Sequence, residues 1–203
     1  MSILVVDYHM GNLGSVRRAL EELDADVILS DDPADLRKAE RFVLPGVGSF
    51  REGMEQLHAL GWVPEILNAV REGIPMLGIC LGMQLLMDKG CEGGETQGLS
   101  LIPGNVDLLD CQAQSMRIPH IGWNEVRLSR PTELFKDILS GTDFYFVHSY
   151  QVLPADPGHA IALTPYGSDF VSAVQCGRTY GVQFHPEKSG KPGFKLLQNF
   201  MKL

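Results

Sequence analysis

The four cysteines, Cys80, Cys91, Cys111 and Cys176, form no CxxC pair and no metal-finger spacing. That excludes a cysteine-built metal site and leaves reduced thiols in a cytoplasmic protein as the simplest reading, with burial as an inert thiol the default for each. Long apolar runs are missing too: no segment reaches the roughly 18 residues of a membrane helix. Positive charge is scarce, since 17 Lys and Arg face 25 Asp and Glu for a formal net charge of −8. The basic pairs Arg17-Arg18 and Arg37-Lys38 are scattered. Phosphate binding needs clustered positive charge, so neither nucleic acid nor an anionic membrane is an expected partner. Met1 to Met10 has no basic n-region, and Asp7 and His9 break its apolar run, so it does not read as a secretory signal. No linker, repeat or low-complexity stretch divides the chain, and one domain over 1–203 is expected.

What is present is alternation. Ile3 to Val6, "DVIL" (26–29), "RFVL" (41–44) and "IPMLGI" (74–79) read as strands rich in β-branched residues. Between them Val16, Ala19, Leu20 and Leu23 recur at helical spacing, as do "REGMEQLHAL" and "VPEILNAVREG", with Gly73 a helix stop. "LGMQLLMDKG" reads as a helix opening directly after Cys80. Strand–helix alternation predicts a parallel sheet covered on both faces. Beyond residue 95, "LSLIPGNVDLL", "WNEVRL", "DFYFVHSYQVL", "HAIALTPYG", "FVSAVQC" and "RTYGVQF" read as short strands between turns, and Phe194 to Leu203 as a closing helix. The expected class is α/β, a mostly parallel central sheet flanked by helices with antiparallel additions.

Gly78-Ile79-Cys80-Leu81-Gly82 has the form of a nucleophile elbow, a sharp strand-to-helix turn usually written G-x-S-x-G. Side chains two before and two after the apex would crowd such a turn. The following helix start offers orphan N–H groups and partial positive charge, surroundings that favour a thiolate. The Leu81 N–H is placed to donate to an oxyanion. The alternative is a small buried residue ending a strand. A base and its orienter stand in "GVQFHPEKS": His185 and Glu187 are two apart, and Pro186 disfavours helix at His185, so both side chains point one way. His9, His58, His120, His148 and His159 lack an acidic neighbour at that spacing. In "VLPGVGSF", Arg51 stands where a dinucleotide fingerprint needs its third glycine. Gly46 and Gly48 around Val47 suit instead a backbone that presents N–H groups, and one that can flip.

"PGVGSF", "GICLGMQLL" and "GVQFHPEKS", in that order, resemble the class I (triad-type) glutamine amidotransferases, over essentially the whole chain. That family has a flavodoxin-like fold. "DYHMGNLGSV", "IGWNEV" and "FYFVHSY" are similar to the glutaminase subunits of imidazole glycerol phosphate synthases. The resemblance implies that Cys80 attacks the side-chain amide of glutamine, that His185 relays the proton, and that Glu187 orients His185. It implies further that Val47, Gly48 and Leu81 line the oxyanion region, that Gln84, Ser149 and Tyr150 hold glutamine, and that Gly46 belongs to the same substrate-binding set. Ammonia passes to a synthase (cyclase) subunit of (β/α)₈ type in a heterodimer, which contacts Asn12, Trp123, Tyr145 and Lys188 and stimulates an otherwise poor glutaminase. No cofactor and no metal are implied. His9 and Ile121 replace a usual glycine and methionine, and "CEGGETQGLSLIPG" also resembles a sister group that supplies ammonia to sugar-amidating enzymes of surface polysaccharide. Alternatives of other classes are a non-catalytic partner-binding module and a cysteine hydrolase of related fold.

Overall fold

A computed structural model describes residues 2–110 and 116–203; Cys111 lies outside the described residues. The first half alternates as expected: β1 (Ser2–Val6), α1 (Leu13–Glu21), β2 (Asp26–Ser30), β3 (Arg41–Gly46), α2 (Phe50–Ala59), α3 (Trp62–Arg71), β4 (Met76–Cys80) and α4 (Leu81–Gln84). Then come β5 (Lys89–Gly90), β6 (Thr96–Gln97), β7 (Gly104–Leu108), β8 (His120–Leu128), β9 (Thr142–His148), β10 (Tyr150–Pro154), β11 (Ala160–Tyr166), β12 (Ser168–Cys176), β13 (Thr179–Val182) and α5 (Gly190–Phe200). The central strands lie in the order β2-β1-β3-β4-β13, all parallel. β12, β10 and β7 extend the sheet on the β13 side with antiparallel pairing, and a β8–β9 hairpin is attached through β11.

The central strands are buried on both faces, so their sequences are continuous apolar runs. Ile3 and Val5 of β1 pack with Val16 and Leu20 of α1 and with Leu196 and Phe200 of α5. Leu4 and Val6 turn the other way, towards Leu57 of α2 and Trp62 and Ile66 of α3. One strand therefore serves two cores by simple alternation. The carboxyl ends of β1, β3, β4 and β13 meet on one edge. In open α/β sheets that edge is where ligands bind.

Three expectations need correction. The helix after Cys80 is only four residues long. Carbonyls that a longer helix would use are taken by a neighbouring loop: Leu99 N–H donates to Leu85 O, Leu101 and Ile102 N–H to Leu86 O, and Ser100 N–H to Met87 O. A helix this short supplies little dipole, so the Leu81 N–H carries more of the expected electrostatic role. Leu99 to Pro103 forms no strand, and β7 starts at Gly104. "DFYFVHSYQVL" is two strands, because the chain leaves β9 at Ser149 to enter β10, beside β7. No helix among the described residues is long and apolar enough to cross a membrane.

Candidate active site

Cys80 sits at the apex of the β4–α4 turn with φ 55° and ψ −110°. A side chain in that region is strained, at a cost of about 1–3 kcal/mol, and persists where its surroundings over-determine it. The two flanking glycines supply the room. A Cβ on Gly82 would collide with the Leu44 carbonyl, and one on Gly78 would overlap the Gly82 carbonyl. Neither clash has a side-chain end that can swing aside. The elbow reading of "GICLG" is therefore a steric fact of this fold, and Cys80 is almost fully buried at its tip.

Gly46 lies beside Cys80 in the β3–β4 register. Beneath it is the buried Tyr8 ring, whose hydroxyl would meet any Cβ at Gly46. Gly48 has φ +109°, a conformation that glycine adopts without strain. Val47 between them is 41% exposed, so it projects from the rim instead of packing into the core.

His185 follows β13 and opens a short 3₁₀ turn, Pro186–Lys188. Its Nδ1 is 2.8 Å from Glu187 Oε1, and both side chains are withdrawn from solvent. Its backbone N–H donates to the Tyr145 carbonyl, while Ser189 Oγ donates to the His185 carbonyl and accepts the Tyr145 N–H. The His185 backbone is thus held on both sides. Burial opposes its charge, but Cys80 and Glu187, through hydrogen bonding and charge, outweigh that and lift its pKa to about 9. Nε2 has no hydrogen-bond partner among the described residues. Cys80 is nonetheless close enough to raise the pKa of the imidazole.

A cavity of about 340 Å³ opens over Cys80, the size of a small-ligand pocket. Val47, Gly48, Leu81, Gln84, Ser149 and Tyr150, all expected at the substrate, line it; Gly46 stays beneath. Glu92, Pro119, Val147 and His148 also line it and were not foreseen. Glu92 is brought there by its loop, which docks on the start of α2: Phe50 N–H donates to Glu92 Oε2 at 2.8 Å, and Arg51 bonds the Gly93 carbonyl. Its only advance signal was an acid following the CLGMQ segment, which is too weak to use. Two other hollows, beside α3 and around Ser129 to Ile138, are lined by no cysteine or histidine among the described residues. Among the described residues no group of His, Cys, Asp and Glu is placed to hold a metal.

Of the four residues expected at the interface, Trp123, Tyr145 and Lys188 lie together. Trp123 is 58% exposed, its ring stands edge-on to Tyr145 at 6.1 Å, and Lys188 Nζ lies 5.9 Å from the Tyr145 ring centre. Ile121 beside them is 60% exposed. Asn12 is exposed at the start of α1. Cys91 is exposed and donates to Asp107, and Cys176 is half-buried, so neither fits the expectation of a buried thiol.

The profile of the family described as glutamine amidotransferase class-I matches residues 4–203. The imidazole glycerol phosphate synthase subunit HisH of Moorella thermoacetica is 46% identical over 201 residues, covering 99% of this chain and 94% of that protein. The HisH subunit of Aquifex aeolicus is 43% identical over 203 residues, covering 100% and 97%. Among solved structures, that of PurLQS from Thermotoga maritima is 20% identical with a TM-score of 0.72, covering 99% of this chain and 97% of that one, a likeness of fold. The chain belongs to the class I glutamine amidotransferases, in the branch that holds the HisH subunits of imidazole glycerol phosphate synthase.

Proposed function

We propose that this chain is a glutaminase subunit that hydrolyses glutamine to glutamate and passes the ammonia to a synthase subunit, within imidazole glycerol phosphate synthase and so within histidine biosynthesis. The observation that carries this is the whole-length identity of 43–46% to HisH subunits, together with a strained Cys80 facing a buried His185–Glu187 pair. The same identities favour this acceptor over a sugar-amidating one.

In this reading Cys80 attacks the amide carbon as a thiolate. The oxygen that becomes negative is met by N–H groups of Leu81 and of the Gly46–Val47–Gly48 segment. His185 is already protonated at neutral pH, so the proton the departing ammonia needs is in place. Glu187 holds Nδ1 and leaves Nε2 to the reaction. The thioester is then cleaved by water, whose proton His185 takes up, which restores thiolate and imidazolium. Among the described residues Glu92 is the one acidic side chain lining the cavity and is the natural partner of the substrate's ammonium group. Ser149, Tyr150 and the amide oxygen of Gln84 hold the rest.

The apolar patch of Trp123, Tyr145 and Ile121, flanked by Lys188 and with Asn12 on the first loop, is the docking face for a (β/α)₈ synthase subunit in a heterodimer. A cytoplasmic location fits that pathway. Glutamate release by the purified chain, alone and with the synthase subunit plus its nucleotide ligand, tests the proposal. Strong release only in the complex, abolished by Cys80→Ser, is expected; full stimulated release from Cys80→Ser would overturn the mechanism.

A further inference from the structure

A second set of buried polar side chains leads to Cys80, ending at Gln183. His120 and His148 face each other across the β8–β9 register, with His120 Nδ1 3.1 Å from His148 Nε2. His148 Nδ1 is 2.8 Å from the Tyr150 carbonyl. Asn124 Nδ2 is 3.3 Å from His120 Nε2 and 2.8 Å from the Pro165 carbonyl. The same Tyr150 carbonyl accepts from Gln84 Nε2 at 3.2 Å; Gln84 Nε2 also donates to Gln183 Oε1 at 3.0 Å, and Gln183 Nε2 to Cys80 Sγ at 3.7 Å. His120, His148, Gln84 and Gln183 are each at least nine-tenths buried.

The direction of every bond is forced by chemistry. A backbone carbonyl only accepts. The Tyr150 carbonyl therefore places the hydrogen of neutral His148 on Nδ1, which makes Nε2 an acceptor. His120 must then donate from Nδ1 and accept at Nε2, which Asn124 supplies. The Pro165 carbonyl fixes which end of the Asn124 amide points inward, and Asn124 Oδ1 meanwhile accepts the Glu125 N–H. On the other arm, the Tyr150 carbonyl fixes Gln84, Gln84 fixes Gln183, and Gln183 is left with its N–H on the sulfur. Between Asn124 and Tyr150 four N–H hydrogens (two from Asn124, one from each imidazole) meet four acceptors, so an added proton has nowhere to go.

We propose that this chain of fixed direction, from Asn124 through His120, His148, the Tyr150 carbonyl and Gln84 to Gln183, orients an amide donor onto the Cys80 sulfur. It rests on Cys80 as the nucleophile. Gln183 acts on the reacting atom; His120 and His148 are positioning residues, neutral and unable to serve as bases. A donor on sulfur is the bond an attacking thiolate keeps and a neutral thiol uses poorly. Burial drives His120 down to about 4; burial takes His148 to about 3 despite the Tyr150 carbonyl, since a charge there would also meet that of His185 and, once it too is protonated, of His120. Phe146, Tyr166 and Phe170 pack around the pair, and His148 also borders the cavity over Cys80.

The assignment is tested on the unaltered protein by long-range proton–nitrogen NMR of nitrogen-15-labelled histidine. Both imidazoles should carry hydrogen on Nδ1 at neutral pH, the minor form for a histidine in water. Hydrogen on Nε2 of either one overturns the chain. The consequence is tested by the rate at which iodoacetamide alkylates Cys80, read on its peptide by mass spectrometry, a readout that needs no glutaminase activity. Gln183→Leu should slow it about tenfold, the effect of losing one hydrogen bond to a charged group. His148→Phe, similar in volume, should slow it about threefold, and His148→Asn, which keeps the donor to Tyr150, should restore it to within about twofold. Wild-type rates in Gln183→Leu or His148→Phe, or equal slowing by the two His148 variants, would refute the proposal. If His148→Phe fails to fold, the tautomers and Gln183→Leu still decide it. Slow alkylation without glutamate release from the complex would indict the proposed reaction instead.

Discussion

Two buried histidine systems flank Cys80, and burial has opposite outcomes in them. His185 touches a carboxylate at 2.8 Å and is lifted to about 9. His148, equally hidden, touches a carbonyl and another imidazole and falls to about 3. Desolvation penalises charge in both places. What reverses it is a pair of acidic partners, Cys80 and Glu187, the second set two residues away by Pro186. The pair on one side is built to hold and release a proton; the pair on the other is built never to take one.

The most damaging way to break this contrast is Glu187→Gln, which leaves the shape and removes the charge. His185 should then lose part of its lift and keep the share that Cys80 supplies, and stimulated glutamate release should fall at least about a hundredfold. In the wild type, kcat/KM should decline as pH rises through about 9, and in the variant that decline should begin at lower pH. Stability should show the same opposition. His185 holds its proton more tightly when folded, so its contribution is whole below about pH 6.5 and is lost as pH rises through about 9. His120 and His148 hold theirs less tightly, so the fold weakens as pH falls from 6.5 towards about 4 and 3. Denaturant midpoints across pH read both windows, and Glu187→Gln should blunt only the alkaline one. Asn124→Leu, which strips a donor from His120, should cost about 1–3 kcal/mol in the same measurement. Trp123→Ala should touch neither system: stability within about 0.5 kcal/mol of wild type, and affinity for the synthase subunit weakened about tenfold. A change in the alkaline window from Trp123→Ala would show that the surface and the triad are not separate.

The two systems also differ in how they can be read from sequence. Cys80 with its glycines and His185 with Glu187 are local patterns, each within nine residues, and their geometry follows from turn sterics and extended-chain alternation. The parallel strands were legible for a similar reason, since burial on both faces writes an unbroken apolar run. His120 and His148 are 28 residues apart and meet only through the β8–β9 register. Neither has the acidic neighbour that marks a reactive histidine, so the sequence passes them over. Gln183 stood inside the motif that carries His185 yet showed nothing of its bond to sulfur, which depends on Gln84 and on a carbonyl in β10. Glu92 reaches the cavity through a loop docked on α2, and the early end of α4 follows from hydrogen bonds to Leu99 through Ile102. Each of these depends on tertiary pairing that no single window of sequence contains.

Tyr145 belongs to the outer surface by its ring and to the interior by its peptide. The ring lies between Trp123 and Lys188, while the carbonyl holds the His185 N–H and the amide is caught by Ser189. Outside and inside are separated here by the thickness of one strand. A molecule that settles on Trp123 and tilts that ring tugs on the peptide from which the imidazole hangs. A route from that surface to the reacting proton would then be one residue long, with no relay of helices between them.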